Sequence, residues 1–399
     1  MTRTAHLPPL DELAITARVA VSCIGHGRDA HVEAMSSGRS GLTPCDFPGA
    51  AIPCWIGQVS GIEQGAFPRG LAAYDNRATR IALAGLEADG FAARVAAAIA
   101  RWGSDRVGIV IGTSTSGVEK LEQVYRRWSG DGPLDPAYSL RHHNDHHAVT
   151  AFLAEHLGIA GVGYTVSTAC SSAAKALIDG AQLVRLGLCD AVLTGGVDSL
   201  CLTSLYGFEG LELLSRAPCR PFDVRREGLS IGEGAGFLLI EREGDGPRLL
   251  GYGETSDAVS MSTPPPDGAG AQAAMREALA RGGLAAAEIG FVKLHGTGTR
   301  TNDAAEAAAV AAVFPHVPPA ASLKGMIGHT LGAAGAVEAV LCLDAMEAGV
   351  VPGTVGLDQP DPTLAIAPGA RPSTGEIRRA ICNAFGFGGS NSALLFGLA

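Results

Sequence analysis

Short apolar runs and longer alanine-rich stretches alternate along most of this chain. The runs lie at residues 18–24, 107–111, 163–166, 191–194, 236–241, 292–294 and 379–382, each bounded by Gly or polar residues. Runs of this length with β-branched residues read as strands buried on both faces. Between them, apolar residues recur with helical spacing at 77–87, 90–101, 145–156, 171–186, 271–281, 303–313 and 333–348. Strands alternating with helices predict an α/β fold around a buried, mostly parallel sheet.

Two segments read alike. Residues 162–184 run strand, small-residue turn with Cys170, then Ala-rich helix. Residues 320–343 run strand, small-residue turn with His329, then Ala-rich helix. The likeness predicts a duplicated fold with its boundary near 243–253, so that Cys170 and His329 face each other across a pseudo-twofold axis. Residues 262–270 and 359–371 read as Pro/Gly loops.

Composition narrows the class. A chain of 399 residues with 47% hydrophobic and 18% charged residues has a large interior and no disordered character. Its net charge of −10 argues against nucleic acid as a partner. An acidic partner would need a local basic patch. Nine Cys, an odd number without CxxC spacing, suit reduced thiols in a cytoplasm. The first twelve residues carry no apolar core of a signal peptide. No stretch of ~20 residues is apolar throughout, so no transmembrane helix is expected.

Four segments could carry chemistry. In Ser167-Thr-Ala-Cys170-Ser-Ser-Ala, the Cys ends a strand and opens a helix, where free amides favour a thiolate and lower its pKa. The other eight Cys read as buried structural thiols. In Lys293-Leu-His295-Gly-Thr-Gly-Thr299 a strand ends in His. In Ser322-Leu-Lys324-Gly-Met-Ile-Gly-His329 a second His precedes a helix. Taken singly, each His reads as structural and Lys324 as a surface residue. Asn383-Ala-Phe-Gly386-Phe387-Gly388-Gly389-Ser-Asn391 is a glycine loop whose amides could serve an oxyanion hole or cradle phosphate. Its spacing matches neither nucleotide-binding glycine pattern. Together the four suggest acyl transfer through a thiol. His142-His143-Asn-Asp-His146-His147 holds two i, i+4 His pairs, a spacing that can bind zinc; the plainer reading is a helix start capped by Asn144 or Asp145.

The order Cys, His, His, Gly loop closely resembles the β-ketoacyl-acyl-carrier-protein synthase family of thiolase-like condensing enzymes, synthase I/II type. The resemblance covers nearly the whole chain. It includes Ser36-Ser-Gly-Arg-Ser-Gly41, Arg220-Pro-Phe-Asp223 with Arg226-Glu-Gly, and Gly232-Glu-Gly-Ala-Gly236. It implies a thiolase-like fold of two related halves in a five-layer α-β-α-β-α arrangement. Residues 1–250 would carry the nucleophile and 251–399 both catalytic histidines.

The implied reaction is decarboxylative Claisen condensation of malonyl-carrier with an acyl group on Cys170, in fatty-acid or polyene/polyketide synthesis. His295 and His329 would donate hydrogen bonds to the thioester oxygen as the enolate forms. The amides of Cys170 and Phe387 would hold the oxyanion, Lys324 would orient the pocket, and Phe387 would gate it. Thr297, Thr299, Gly386, Gly388 and Gly389 would border the substrate. No metal and no cofactor is implied. The implied partners are acyl carrier protein and a second subunit, identical or chain-length-factor-like. Ala72 and Ala73 stand where the family tends to carry basic docking residues, with Arg69, Arg126 and Arg127 as nearby substitutes. The segments 74–80, 112–117 and 256–264 look like ketosynthases of aryl-polyene and related pathways. They point to a polyene-type product, with the His142–His147 stretch as a polar wall for a rigid chain. A non-catalytic chain-length factor would lack Cys170, His295 and His329. A degradative thiolase would carry a second catalytic Cys near the C-terminus; residues 385–391 contain none, and Cys382 lies before that loop.

Overall fold

A computed structural model describes residues 10–136 and 138–399. Most of the stretch inspected for a signal peptide, residues 1–9, lies outside the described residues. The main strands are β1 (Leu13–Ser22), β2 (Val107–Gly112), β3 (Gly163–Val166), β4 (Ala191–Asp198), β5 (Gly234–Glu241), β6 (Arg248–Ser256), β7 (Phe291–Leu294), β8 (Ala320–Ser322), β9 (Arg379–Gly386) and β10 (Ser390–Gly397). They form one path in the order β8-β7-β9-β10-β6-β1-β5-β4-β2-β3.

That order contains the same motif twice. Outward from β1 the first half runs first, fifth, fourth, second, third strand, and outward from β6 the second half does the same. In both halves the inner two contacts are antiparallel and the outer two parallel. The halves join where β1 meets β6 antiparallel, Leu13 opposite Leu249. The expectation of a mostly parallel sheet is corrected to a mixed one. β4 and β5 pair antiparallel yet are buried along their whole length, so their apolar runs carry no sign of direction.

Helices cover the sheet in three layers. α1 (Arg77–Glu87), α2 (Phe91–Trp102), α3 (Val118–Arg127) and α4 (His147–Leu157) belong to the first half. α1, α2 and α4 pack on one face of β1, β2, β4 and β5. α5 (Ser172–Arg185), α6 (Leu202–Gly210), α7 (Ala269–Arg281), α8 (Arg300–Val313) and α9 (Ala334–Ala348) follow. α7 and α8 form the other outer layer. α5 and α9 fill the middle, against strands of both halves. Every residue of α9 from Ala334 to Met346 is buried, as a helix enclosed by two sheet faces requires. Small residues make this approach possible: a Cβ on Gly236 would meet the Val337 amide nitrogen at 2.5 Å. These five layers are the expected α-β-α-β-α arrangement.

Glu233, inside the Gly232–Gly236 signature, explains why that segment is built as it is. Its carboxylate is buried, accepts the amides of Val59 and Leu200 at 2.8 Å each, and takes the Arg77 guanidinium at 2.6 Å. Glu233→Ala is expected to lower unfolding free energy by about 3–5 kcal/mol, since it leaves two buried amides without their acceptor and a largely buried guanidinium with only the exposed Glu63 as partner. Chemical denaturation checks this; a loss below about 1 kcal/mol would show that water takes over these partners.

Candidate active site

The two halves present their chemistry with the same local device. Ala169, just before Cys170, has φ 53°, and Gly328, just before His329, has φ 72°. Each positive-φ residue turns the chain ahead of its central helix and presents the next residue, although in the second half a short helical turn, Lys324–Ile327, stands between the strand and Gly328. For Ala this conformation costs free energy that the surrounding packing must offset. Cys170 then leads into α5 and His329 into α9.

β7 delivers His295, and α8 holds it in place. Glu306 accepts the amides of His295 and Gly296 at 2.7 Å each. Asp303 accepts those of Gly298 and Phe222, at 3.1 and 2.8 Å, which ties the loop bearing Thr297 and Thr299 to the Arg220–Asp223 signature. The hydroxyls of Thr297 and Thr299 are bonded to each other at 2.9 Å. The rings of His295 and His329 meet edge to face, centroids 5.4 Å apart.

Lys324 is not the surface residue its isolated reading suggested. It is fully buried, and its ammonium donates to Glu338 Oε1 at 2.6 Å and to the His295 carbonyl at 2.6 Å. It also lies 3.4 Å from His295 Nδ1. Burial lowers the Lys324 pKa against the pull of Glu338; as an ammonium it can only donate, which assigns His295 Nδ1 as acceptor and Nε2 as the protonated nitrogen. Lys293 shares Glu338 from the other side, bonded to Oε2.

Burial sets the protonation states. It pushes the Cys170 thiol up to about 11, against the opposing pull of Lys324 and of the Phe387 and Cys170 amides directed at the sulfur. The expectation of a thiolate from the helix start is therefore corrected: desolvation outweighs the helix terminus. Burial also drives both imidazoles well below 6.5, helped by Lys324 and Lys293. Neither ring nitrogen of buried His329 has a hydrogen-bond partner among the described residues. Unpaired buried groups of this kind mark a place for a ligand.

Two clefts meet at the sulfur. One, of about 630 Å³, is lined by Cys170, His295, His329, Thr297, Thr299 and Asn302, with Gly386, Phe387 and Gly389 of the glycine loop. The other, of about 850 Å³, runs past Ser114, Thr115, Val118, Cys201, Ser204 and Leu331. Cys170, Phe208 and Phe387 border both. The rings of Phe208 and Phe387 stack at 5.8 Å, so together they form the partition. Gly388, at φ 81°, lines neither; its amide bonds the Met261 carbonyl at 2.7 Å. The structure thus brings the five expected catalytic residues to one place. Lys293, Glu338, Glu306 and Phe208 were missed. A charged residue inside an otherwise apolar strand or helix was the available signal for the first two.

The His142–His147 stretch is elsewhere. His142 bonds the Ser139 hydroxyl, His143 the Ser139 amide, His146 the Ser114 carbonyl and His147 the Thr165 hydroxyl. None of the four lines either cleft, which corrects the expectation of a His-rich wall. A π-turn at Leu140–Asn144 sends successive side chains to different neighbours, and Asp145 accepts the His147 amide to open α4.

Comparison with known proteins agrees with the geometry. Residues 11–246 match the family described as beta-ketoacyl synthase, N-terminal domain, and 248–358 match its C-terminal domain. The chain is 36% identical over 262 residues to a mitochondrial 3-oxoacyl-[acyl-carrier-protein] synthase of Arabidopsis thaliana, covering 60% of this chain and 57% of that protein. It is 30% identical over 421 aligned positions to the chloroplastic synthase II of the same plant, covering 98% of this chain and 76% of that one. Among solved structures, the ketosynthase ApeO in complex with its chain length factor ApeC, from Xenorhabdus doucetiae, superposes with a TM-score of 0.88, 35% identity and 98% of both chains.

The protonation of Cys170 is testable. Alkylation at this residue by iodoacetamide, followed by peptide mass, is expected to accelerate about tenfold per pH unit between pH 7 and 9, because only the thiolate reacts. A rate already level at pH 7 would mean a preformed thiolate.

Proposed function

The chain belongs to the β-ketoacyl synthase family, and we propose that it lengthens an acyl chain held on Cys170 by two carbons drawn from malonyl-carrier protein. The observation that carries this reading is the pair of buried imidazoles packed edge to face, one with no partner among the described residues, set beside a buried thiol where two clefts meet.

The roles follow from the chemistry of each group. In the first half-reaction the Cys170 S–H bond breaks, sulfur bonds the acyl carbon, and the carrier's thiol departs with the proton. The amides of Cys170 and Phe387 are directed at this centre and serve as oxyanion donors. In the second, malonyl thioester loses carbon dioxide, and the electrons left behind form an enolate whose oxygen accepts from His295 and His329. The enolate carbon attacks the acyl carbon, and the expelled Cys170 sulfur takes up a proton to end as a thiol. The carrier's arm fits the cleft bordered by Thr297, Thr299, Gly386 and Gly389, and the acyl chain fits the cleft past Thr115 and Leu331. Phe387, between them, is the gate. Gly388 supports the gate through its bond to Met261.

We divide the labour between two halves that meet near residue 250, nucleophile before and histidines after. The similarity to ApeO, which is bound to a chain length factor, supports a chain-length-factor-like subunit as partner here. Cysteine usage supports a cytoplasmic setting; no helix among the described residues is long and apolar enough to cross a membrane. A polyene-type product rests on the resemblances at 74–80, 112–117 and 256–264, and no longer on the histidine stretch.

Intact-mass analysis with a panel of saturated and 2,4-dienoyl carrier thioesters, alone and with candidate partner subunits, reads acylation and chain preference together. Cys170→Ala is expected to abolish acylation and condensation. His295→Ala and His329→Ala are expected to keep the acyl-enzyme while malonyl decarboxylation falls by roughly 10²-fold or more. Loss of acylation with decarboxylation intact would reverse the assigned roles. A clear preference for saturated chains without a partner would remove the polyene reading.

A further inference from the structure

Lys293 is an unexpected residue for its position. Alternation along β7 sends Val292 and Leu294 into the outer helical layer and Phe291 into the central one. Lys293 follows Phe291 inward and is fully buried beside α9. An apolar side chain would satisfy that packing, whereas a buried ammonium carries a desolvation penalty of several kcal/mol before pairing. Its ammonium is spent on Glu338 Oε2 and the Asn383 carbonyl, the latter at 2.5 Å, and it touches no cleft.

The charges around it can be counted. Lys324 and Lys293 contribute two positive charges. Glu338 between them and Glu306, which holds the His295 and Gly296 amides, contribute two negative ones. The remaining ionisable neighbours are His295, His329 and the thiols of Cys170, Cys219, Cys342 and Cys382, with Asp344, itself paired with Arg18, beyond Cys342. Without Lys293 the group would carry a net negative charge. That charge would draw a proton onto the imidazoles and oppose the enolate. It would also leave Glu338 to Lys324 alone, the ammonium that sets the His295 tautomer at 3.4 Å.

We propose that Lys293 is a positioning residue for condensation: by sharing Glu338 with Lys324 it balances the buried charge beneath the histidine pair and keeps His295 neutral, with Nε2–H as the donor. This rests on the condensation reading. It concerns one residue that touches no substrate and acts through Glu338 and Lys324.

The test separates charge from packing. Lys293→Met keeps most of the side chain's length and removes its charge; Lys293→Gln serves if the Met variant does not fold. Lys293→Met with Glu338→Gln removes one charge of each sign and restores the balance. Malonyl-carrier decarboxylation is measured from pH 5 to 8, with acylation of Cys170 followed by intact mass and the His295 imidazole titrated by NMR without substrate. In the single variant acylation persists. The acid limb and the His295 titration move to higher pH by roughly half to one unit, because a lost cation makes the imidazole easier to protonate. In the double variant both return to wild-type values even where the melting temperature does not. An unmoved His295 titration in Lys293→Met, or an equal shift in the double variant, would overturn the proposal and leave Lys293 a packing residue. If the wild-type protein releases no carbon dioxide, the condensation reading fails, while the NMR titration still decides the role of Lys293.

Discussion

Irregular backbone buried inside a protein must find acceptors for its amides, and here buried carboxylates supply them. Asp198 accepts Ser114 and Thr115 amides at 2.9 and 2.7 Å, together with the hydroxyls of Thr113 and Thr115. Glu306 and Asp303 do the same for the loop after β7, and Glu233 for the segments around Val59 and Leu200. Asp223 collects the amides of Arg225, Asp358 and Gln359. Asp198, Asp303 and Glu306 fasten loops that line the clefts. Burial raises the pKa of Asp198, Asp303 and Glu306, and the donated hydrogen bonds oppose that shift. The clefts thus have walls that hold their shape although most of the wall is loop.

The duplication places two different chemistries at equivalent turns. A strand, a left-handed residue and a central helix recur in each half, with a thiol delivered by one and an imidazole by the other. Because α5 and α9 pack together in the middle layer, the two turns converge without any long loop having to reach. The third participant, His295, arrives from the strand next to β8 in the same half as His329. Chemistry assembled from strand ends and buried helix starts inherits the rigidity of the sheet.

Much of this was legible in the sequence. α1 was read to the residue, and α2, α5, α7 and α9 to within a few, because alanine-rich periodicity over three or more turns is a strong signal. The five residues proposed as catalytic were legible because their motifs carry chemistry as well as structure. β6 and β10 were not. They hold glycines and small polar residues along their length, LGYGETS and SNSALLFG, and gain their strand character from pairing with each other. α3 and α6 were missed for a related reason. α3 is polar on most of its surface, and α6 is opened by Cys201 and by Glu122 reaching across from α3 to the Leu202 and Thr203 amides. That cap is a tertiary contact, invisible in local sequence. The thiol's protonation was misjudged because the helix terminus is visible in sequence and the desolvation is not.

One cause sets the protonation of Cys170, His295 and His329, the groups proposed to react. Desolvation raises the thiol and lowers both imidazoles, so all three rest uncharged around neutral pH. For the histidines neutrality matters more than strength. An imidazolium beside an enolate would surrender its proton to the carbanion, and the malonyl unit would end as an acetyl group without a bond being formed. A neutral imidazole donates a hydrogen bond and is too weak an acid to quench the carbon. For the thiol, a raised pKa would slow its attack in the absence of a compensating interaction. The amides of Cys170 and Phe387 directed at the sulfur supply such an interaction, since they favour negative charge as it develops on the acyl oxygen or on the sulfur itself. The ion-paired groups lie one layer deeper, on Lys324, Glu338 and Lys293, where the two lysines act through space on the histidines. Separating neutral groups at the clefts from ion-paired groups behind them would let a dry interior stabilise an anion that exists only during the proposed reaction.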